Sequence, residues 1–231
     1  MARLTRLCVP GWPHLVMQSG HNHQPVFQDD VDRKLFIELL QSAASTHGVG
    51  VHAYTLLDDE VRLLATPADV DSLSRMMQAV GRRYGSAFNR RHGHTGSLWE
   101  GRFRATVIEP ERHLLDCMRY VEQEAAGDEA GTGLGQRLWS SAAHHLGERV
   151  DPLISDHLLY WSLGNTPFER EAAYRDLLQQ ALTPSEVFSI SAAARKGWPL
   201  GSGGFLTELS ASTPRRLAPL PRGRPRRTAV D

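Results

Sequence analysis

The chain is poor in cysteine. Its 231 residues contain two, Cys8 and Cys117, far apart and without metal-ligand spacing. That excludes a disulfide framework and the cysteine-rich zinc modules, and the apolar context of both thiols suits buried free cysteines. Long apolar runs are also missing. None approaches the roughly 18 residues that a membrane helix needs, and the N-terminus has no signal-peptide pattern. A reducing, cytoplasmic compartment with no membrane partner is the expectation. Net charge is absent as well, with 26 Lys+Arg against 26 Asp+Glu, so bulk charge selects no partner. The eleven histidines lack acidic or thiol residues at ligand spacing. His21 and His23, His92 and His94, and the adjacent His144 and His145 read as surface or phosphate-contacting side chains.

What is present is an uneven distribution of charge. From Arg82 to Arg104 there are six arginines and two histidines against one acid, Glu100. From Arg215 to Arg227 there are six more arginines and no acid. Such asymmetry inside a neutral chain marks local anion-binding surfaces.

The stretch Val51–Pro67 reads as two strands. Val51 to Leu57 is apolar and rich in β-branched and aromatic residues, Asp58-Asp59 is a turn, and Glu60 to Thr66 resumes the extended pattern. Strand alternation puts Glu60, Arg62, Leu64 and Thr66 on one face, so a carboxylate and a guanidinium lie side by side on a central strand. Before it, a strand around His14–Gln18 leads through a polar loop to a helix. Asp29 or Asp30 caps that helix and Gly48 ends it. After it, Asp69 or Asp71 caps a helix whose Leu73, Met76, Met77, Val80, Tyr84 and Phe88 recur at helical spacing. A glycine-punctuated loop, a short strand RATVIE and a helix starting at Pro110 follow.

This β-α-β-β-α-β-α order predicts an α+β fold: a ferredoxin-like antiparallel sheet with helices on one face. The domain should span residues 1–127. A mostly helical extension follows over 128–212, with a helix from Glu169 to Leu182 striped by Ala173, Leu177, Leu178 and Ala181. Residues 213–231 read as a basic, disordered Arg/Pro-rich tail.

Interleaving of arginines with Tyr84, Phe88, Trp99 and Phe103 in the 82–104 block suits nucleic acid, since arginines neutralise phosphates and aromatic faces stack on unpaired bases. Arg82, Arg83, Asn89, Arg90, Arg91, Trp99, Arg102 and Arg104 are therefore the candidate DNA-binding residues. Arg224 and Arg226 in the terminal GRPRR join them as a candidate minor-groove arm. Tyr120, on a helix face one turn before Glu124, is by spacing alone a core or rim tyrosine.

Four collinear blocks carry a resemblance: LCVPGWPHLVMQSGHNHQPVF, YTLLDDEVRLLATP, LSRMMQAVGRRYGSAFNRRHGHTGSLWEGRF and LLDCMRYVEQEAAG. Over residues 3–127 the chain resembles the REP-associated tyrosine transposases, relatives of the single-tyrosine insertion-sequence transposases of HUH type. DPLISDHLLYWSLG, GWPLGSGGF and RGRPRR resemble the C-terminal extension of many members. The resemblance implies a ferredoxin-like domain that binds hairpin or single-stranded DNA, with a second copy of the chain as a further candidate partner. It implies cleavage by a tyrosine that forms a 5′-phosphotyrosyl link, assisted by Mg²⁺ or Mn²⁺ on a His–hydrophobic–His motif. Tyr120 falls at the nucleophile position. Arg83, Asn89, Arg90, Gly96, Trp99, Arg102 and Phe103 fit the DNA-facing block. The two metal-histidine positions, however, are Glu60 and Arg62. The usual Asn-Pro-Val-Arg after the tyrosine is Glu124-Ala125-Ala126-Gly127, which leaves Glu124 as a residual ligand. Arg62 is permanently cationic and offers no lone pair. An all-oxygen site of Asp59, Glu60 and Glu124 is the alternative arrangement for Mg²⁺. The expectation is DNA binding with impaired cleavage, an active Tyr120 transposase or nuclease being the alternative and an inactive scaffold the third.

Overall fold

The computed structural model of the protein describes residues 6–126 and 139–219, with only the backbone described at 124–126. Strand β1 is His14–Ser19 and helix α1 is Asp30–His47. Asp29 caps α1, its carboxylate accepting from the N–H groups of Val31 and Asp32 at 3.0 and 3.1 Å. Gly48 ends it in the left-handed region at φ 63°, a conformation that glycine adopts without a Cβ clash. Strands β2 (Val49–Leu56) and β3 (Glu60–Pro67) form the hairpin that the sequence predicts. Helix α2 is Ser72–His92, strand β4 is Arg104–Val107, and helix α3 is Pro110–Ala126.

The sheet order is β2-β3-β1-β4, and each neighbouring pair is antiparallel. The two central strands, β3 and β1, are separated in sequence by a helix and a strand, as the ferredoxin-like expectation requires. One part of that expectation is corrected: the helices lie on both faces. Helices α1 and α2 cover the face of Val16, Val61, Leu63 and Ala65. Helix α3 covers the face of Leu15, Met17 and Leu64. The reason is in β3, where apolar side chains alternate onto both sides, so each side needs a covering layer.

Short helices α4 (Ala142–His145) and α5 (Leu158–Trp161) are followed by α6 (Pro167–Gln179), α7 (Pro184–Lys196) and α8 (Gly203–Ser212). Their apolar residues Tyr160, Tyr174, Leu178 and Ile190 join those of α3 in one buried cluster. Both α6 and α7 begin at capping boxes, Thr166 with Glu169 and Thr183 with Glu186, each followed at once by proline. The box at Thr166 sets the start of α6 two residues before Glu169, and the buried stripe becomes Arg170, Tyr174 and Leu178. The expected stripe is thereby corrected: Ala173 and Leu177 are half-buried and Ala181 is exposed. The start of the basic tail, residues 213–219, is also placed, and the Arg215 guanidinium donates to the Gly197 carbonyl at 2.7 Å. Arg224 and Arg226 lie outside the described residues.

This C-terminal region closes both edges of the sheet. Along the outer edge of β2, the N–H groups of Leu56, Ser141 and Ser155 donate to the carbonyls of Trp139, Tyr54 and Val51 at 2.8–3.0 Å. At the opposite edge the Leu200 N–H donates to the Val107 carbonyl at 2.9 Å. An edge left open would offer unpaired backbone groups to other chains.

A buried carboxylate ties these parts together. Glu122 of α3 is fully buried and accepts from the Ser141 hydroxyl, from His145 Nδ1 at 2.7 Å and from the Tyr174 hydroxyl at 2.6 Å. Burial by itself pushes the His145 pKa down, but the charge and hydrogen bond of Glu122 outweigh it and the net shift is upward. Stability from this pair is therefore fully present below the ordinary histidine pKa of about 6.5 and is lost as pH rises through the raised value. Glu122→Ala should cost about 3–5 kcal/mol in urea unfolding at pH 6, because it strands a buried cation. Glu122→Gln should abolish the alkaline loss in a series of melting temperatures against pH.

Candidate nucleic-acid interface

Strand alternation in β3 places Glu60 and Arg62 beneath α3, opposite Ser19 and Met17 of β1. Arg62 Nε donates to Glu60 Oε1 at 2.7 Å, and the Ser19 hydroxyl donates to Glu60 Oε2 at 3.0 Å. The Arg62 guanidinium lies 4.8 Å from the centre of the Tyr120 ring, a cation–π contact in a largely buried setting. Glu60, Arg62 and Tyr120, scattered in the sequence, thus form one cluster. A divalent ion does not fit it. Arg62 brings a fixed positive charge to the place where the resemblance puts a ligand, and both oxygens of Glu60 already accept hydrogen bonds. Asp59, a member of the alternative all-oxygen set, sits on the β2–β3 turn and pairs with His23 Nδ1 at 3.2 Å. The Glu124 side chain lies outside the described residues.

Among the described residues another group has metal-type donors: His144, His145 and Asp156, with ligand atoms all within 4.8 Å. The reading of His144 and His145 as surface or phosphate-contacting side chains is corrected: His145 is fully buried and His144 half-buried, because a loop delivers Asp156 to both. His144 and His145 approach Asp156 Oδ1 through Nε2 at 3.3 and 3.6 Å. The Asp151 N–H donates to His144 Nδ1 at 3.1 Å, so in the neutral ring Nε2 carries the proton and faces Asp156 as a donor. This arrangement suits a hydrogen-bonded charge cluster, and it shares no residue with the Tyr120 cluster. The other histidine pairs are split among separate partners: His92 binds Asp32 at 2.9 Å, and His94 meets Asn89 Oδ1 at 2.9 Å.

The basic block divides in two. Arg82, Arg83, Arg90, Arg102 and Arg104 are exposed. Arg91, exposed as well, is committed to bridging α2 to the start of α1, reaching Asp29 at 2.5 Å and the buried Asp32 at 2.6 Å. Its hydrogen bond holds the Asp29 carboxyl well below the usual carboxylate range. Asn89 donates to the Gly96 carbonyl at 3.0 Å and so shapes the loop. The Trp99 indole donates to the Gly81 carbonyl at 3.2 Å and stays half-buried, while Phe103 is buried. Beside these exposed arginines lies a cavity of about 690 Å³ whose walls include Gln18, Arg75, Arg82, Trp99 and Arg102. It combines cations with an aromatic surface, the pairing that single-stranded nucleic acid uses.

The model of the family described as transposase IS200-like matches residues 11–124. Among solved structures, a REP-associated tyrosine transposase bound to a REP hairpin has a TM-score of 0.50 at 12% identity, covering 68% of this chain and 92% of that one. This likeness is one of fold. A candidate transposase from Deinococcus radiodurans R1 is 27% identical over 54% of this chain and 98% of that one, with a TM-score of 0.35. No curated protein matches the chain.

The division of the arginines makes a contrast that can be measured. Arg91→Ala should lower the melting temperature and leave the salt dependence of DNA binding unchanged. Arg82→Ala and Arg102→Ala should leave the melting temperature unchanged. Each should also reduce the slope of log K against log salt by about 0.7–0.9 in a fluorescence-anisotropy titration.

Proposed function

Residues 11–124 belong to the IS200-like transposase family, and on that premise we propose that the protein binds hairpin or single-stranded DNA in the cytoplasm and is impaired in strand cleavage. The observation that carries this reading is the Glu60–Arg62 ion pair at 2.7 Å beneath Tyr120. It fills the place where the resemblance puts two metal-binding histidines. Without a metal there, the scissile phosphate loses the Lewis acid that polarises it and the charge that stabilises the leaving oxygen. The tyrosine remains at the nucleophile position but is 7% exposed, which further restricts attack on a phosphate.

DNA recognition does not depend on that cluster. It rests on the exposed Arg82, Arg83, Arg90, Arg102 and Arg104 and on Trp99 at the wall of the basic cavity. Arginines on both a helix and a loop can follow a phosphate backbone around a structured end, and the half-buried indole offers a face to an unpaired base. That the REP-associated transposase of similar fold is bound to a REP hairpin supports hairpin DNA as the substrate class.

One observation favours a second reading. The Arg62 guanidinium is already within 4.8 Å of the Tyr120 ring. A guanidinium there could stabilise a phenolate, or a phosphate brought to it, by electrostatics alone. The two readings separate in one assay. The protein is incubated with 5′- and 3′-labelled hairpin oligonucleotides, with and without Mg²⁺ or Mn²⁺, and covalent adducts are sought on denaturing gels. Salt-sensitive binding with no adduct in any condition is the expected result. An adduct that vanishes in Tyr120→Phe establishes cleavage instead, and its loss in Arg62→Ala would assign the electrostatic role to Arg62.

A further inference from the structure

The C-terminal region does more than close the edge of β4. Where α7 ends beside the start of that strand, a cavity of about 220 Å³ opens whose charged lining is entirely basic: Arg6, Arg102, Arg104, Arg195, Lys196 and Arg215. Among the described residues no carboxylate lines it. These cations come from four separate places in the sequence, and only Arg102 and Arg104 belong to the basic block. Arg195 and Lys196 sit in the last turn of α7, where they also complement the negative end of the helix. That role places two cations near the helix end; it does not require them to face Arg6, Arg102 and Arg104 across one opening.

Arg215 adds an independent sign. One of its nitrogens, Nη2, donates to the Gly197 carbonyl at 2.7 Å. Its Nε and Nη1 are buried and have no hydrogen-bond partner among the described residues. Buried donors left unsatisfied are costly, and two on one guanidinium at the wall of a basic cavity point to an acceptor that completes them. The forked donor geometry of arginine matches a phosphate, and the cavity has room for a group of that size. Arg6, Arg102 and Phe103 also line the larger cavity beside Trp99, so the two openings adjoin across these side chains.

We propose that this second cavity is a phosphodiester-binding site in which Arg195, Lys196 and Arg215 of the C-terminal region, together with Arg6, Arg102 and Arg104, hold the backbone of the same DNA strand whose base lies against Trp99. The proposal rests on the DNA-binding reading above and extends it to residues outside the family-matched domain. The division of labour follows from the two linings. The smaller site offers cations and takes the phosphate; the larger offers Trp99 and Met77 as well and takes a base.

The test uses the full chain and a fluorescein-labelled DNA hairpin carrying a single-stranded flank, titrated at several salt concentrations. Arg195→Ala/Lys196→Ala is the main variant, because both side chains are exposed and the change should keep the fold, lowering the melting temperature by no more than the loss of two helix-end charges. The expected result is a log K–log salt slope smaller by about 1.4, the single-strand increment for two contacts, with a loss of affinity of roughly tenfold or more at 0.15 M salt. Arg195→Lys should restore most of its share. A slope and affinity equal to wild type in the double variant, while Arg82→Ala still weakens binding, would overturn the proposal and leave the DNA-binding reading intact. Failure of the wild-type protein to bind the hairpin would overturn both. A parallel titration with inorganic phosphate distinguishes the ligand source. Saturable phosphate binding lost in the double variant, with DNA binding unaffected, would assign the cavity to a free anion and also overturn the proposal.

Discussion

Glu122 accepts three hydrogen bonds from three different segments, and the placement of α3 depends on it. Ser141 belongs to the strip along the β2 edge, His145 to α4 and Tyr174 to α6. Ser141 also accepts from the Tyr54 N–H at 2.8 Å, so the network reaches into the sheet. A buried charge is tolerated only when paired and hydrogen-bonded, and here those partners come from both sides of α3. Tyr120 lies two residues before Glu122 on the same helix. The position of the tyrosine over Arg62 is therefore coupled to the C-terminal region through Glu122.

The arginines show how one residue type serves two purposes in a chain of zero net charge. Arg62, Arg91 and Arg119 turn inward: Arg62 to Glu60, Arg91 to Asp29 and Asp32, and Arg119 to Asp116 and the Gln180 carbonyl. Arg82, Arg83, Arg90, Arg102 and Arg104 turn outward to solvent. The inward set fixes how helices meet helices and strands. The outward set creates a local positive potential, which neutrality of the whole chain does not cancel, because fields at a surface are screened within about 10 Å. Chemistry at the centre and recognition at the surface can therefore vary separately. Glu60 and Arg62 sit apart from the exposed arginines, so the proposed loss of a metal site leaves those cations in place.

Much of the fold was legible in the residues. The β2–β3 hairpin, the Asp29 cap, Gly48 as the helix stop and Pro110 as the start of α3 each follow from local rules that act over a few residues. The partition of the helices between two faces was less so, because strand periodicity shows that β3 is apolar on both sides without saying which helix covers which. The stripe of α6 was misjudged for a related reason. Tyr174 is buried by a partner that arrives from a distant segment, Glu122, while Arg170 folds back onto the Gly164 carbonyl just ahead of the helix.

The sequence by itself determined the element order, the basic block, and the presence of Glu60 and Arg62 where the resemblance puts metal-binding histidines. These are properties of residue type and short spacing, and they survive any arrangement in space. Only the tertiary structure decided which arginines remain available to a ligand, since an ion pair such as Arg91–Asp32 joins residues 59 positions apart. It alone set the Arg62 guanidinium against the Tyr120 ring and gathered Arg6, Arg102, Arg104, Arg195, Lys196 and Arg215 around one cavity. Coulomb and hydrogen-bond energies depend on distances of a few ångströms, and across such long separations in sequence those distances are fixed by the packing of the sheet, its helices and the C-terminal region.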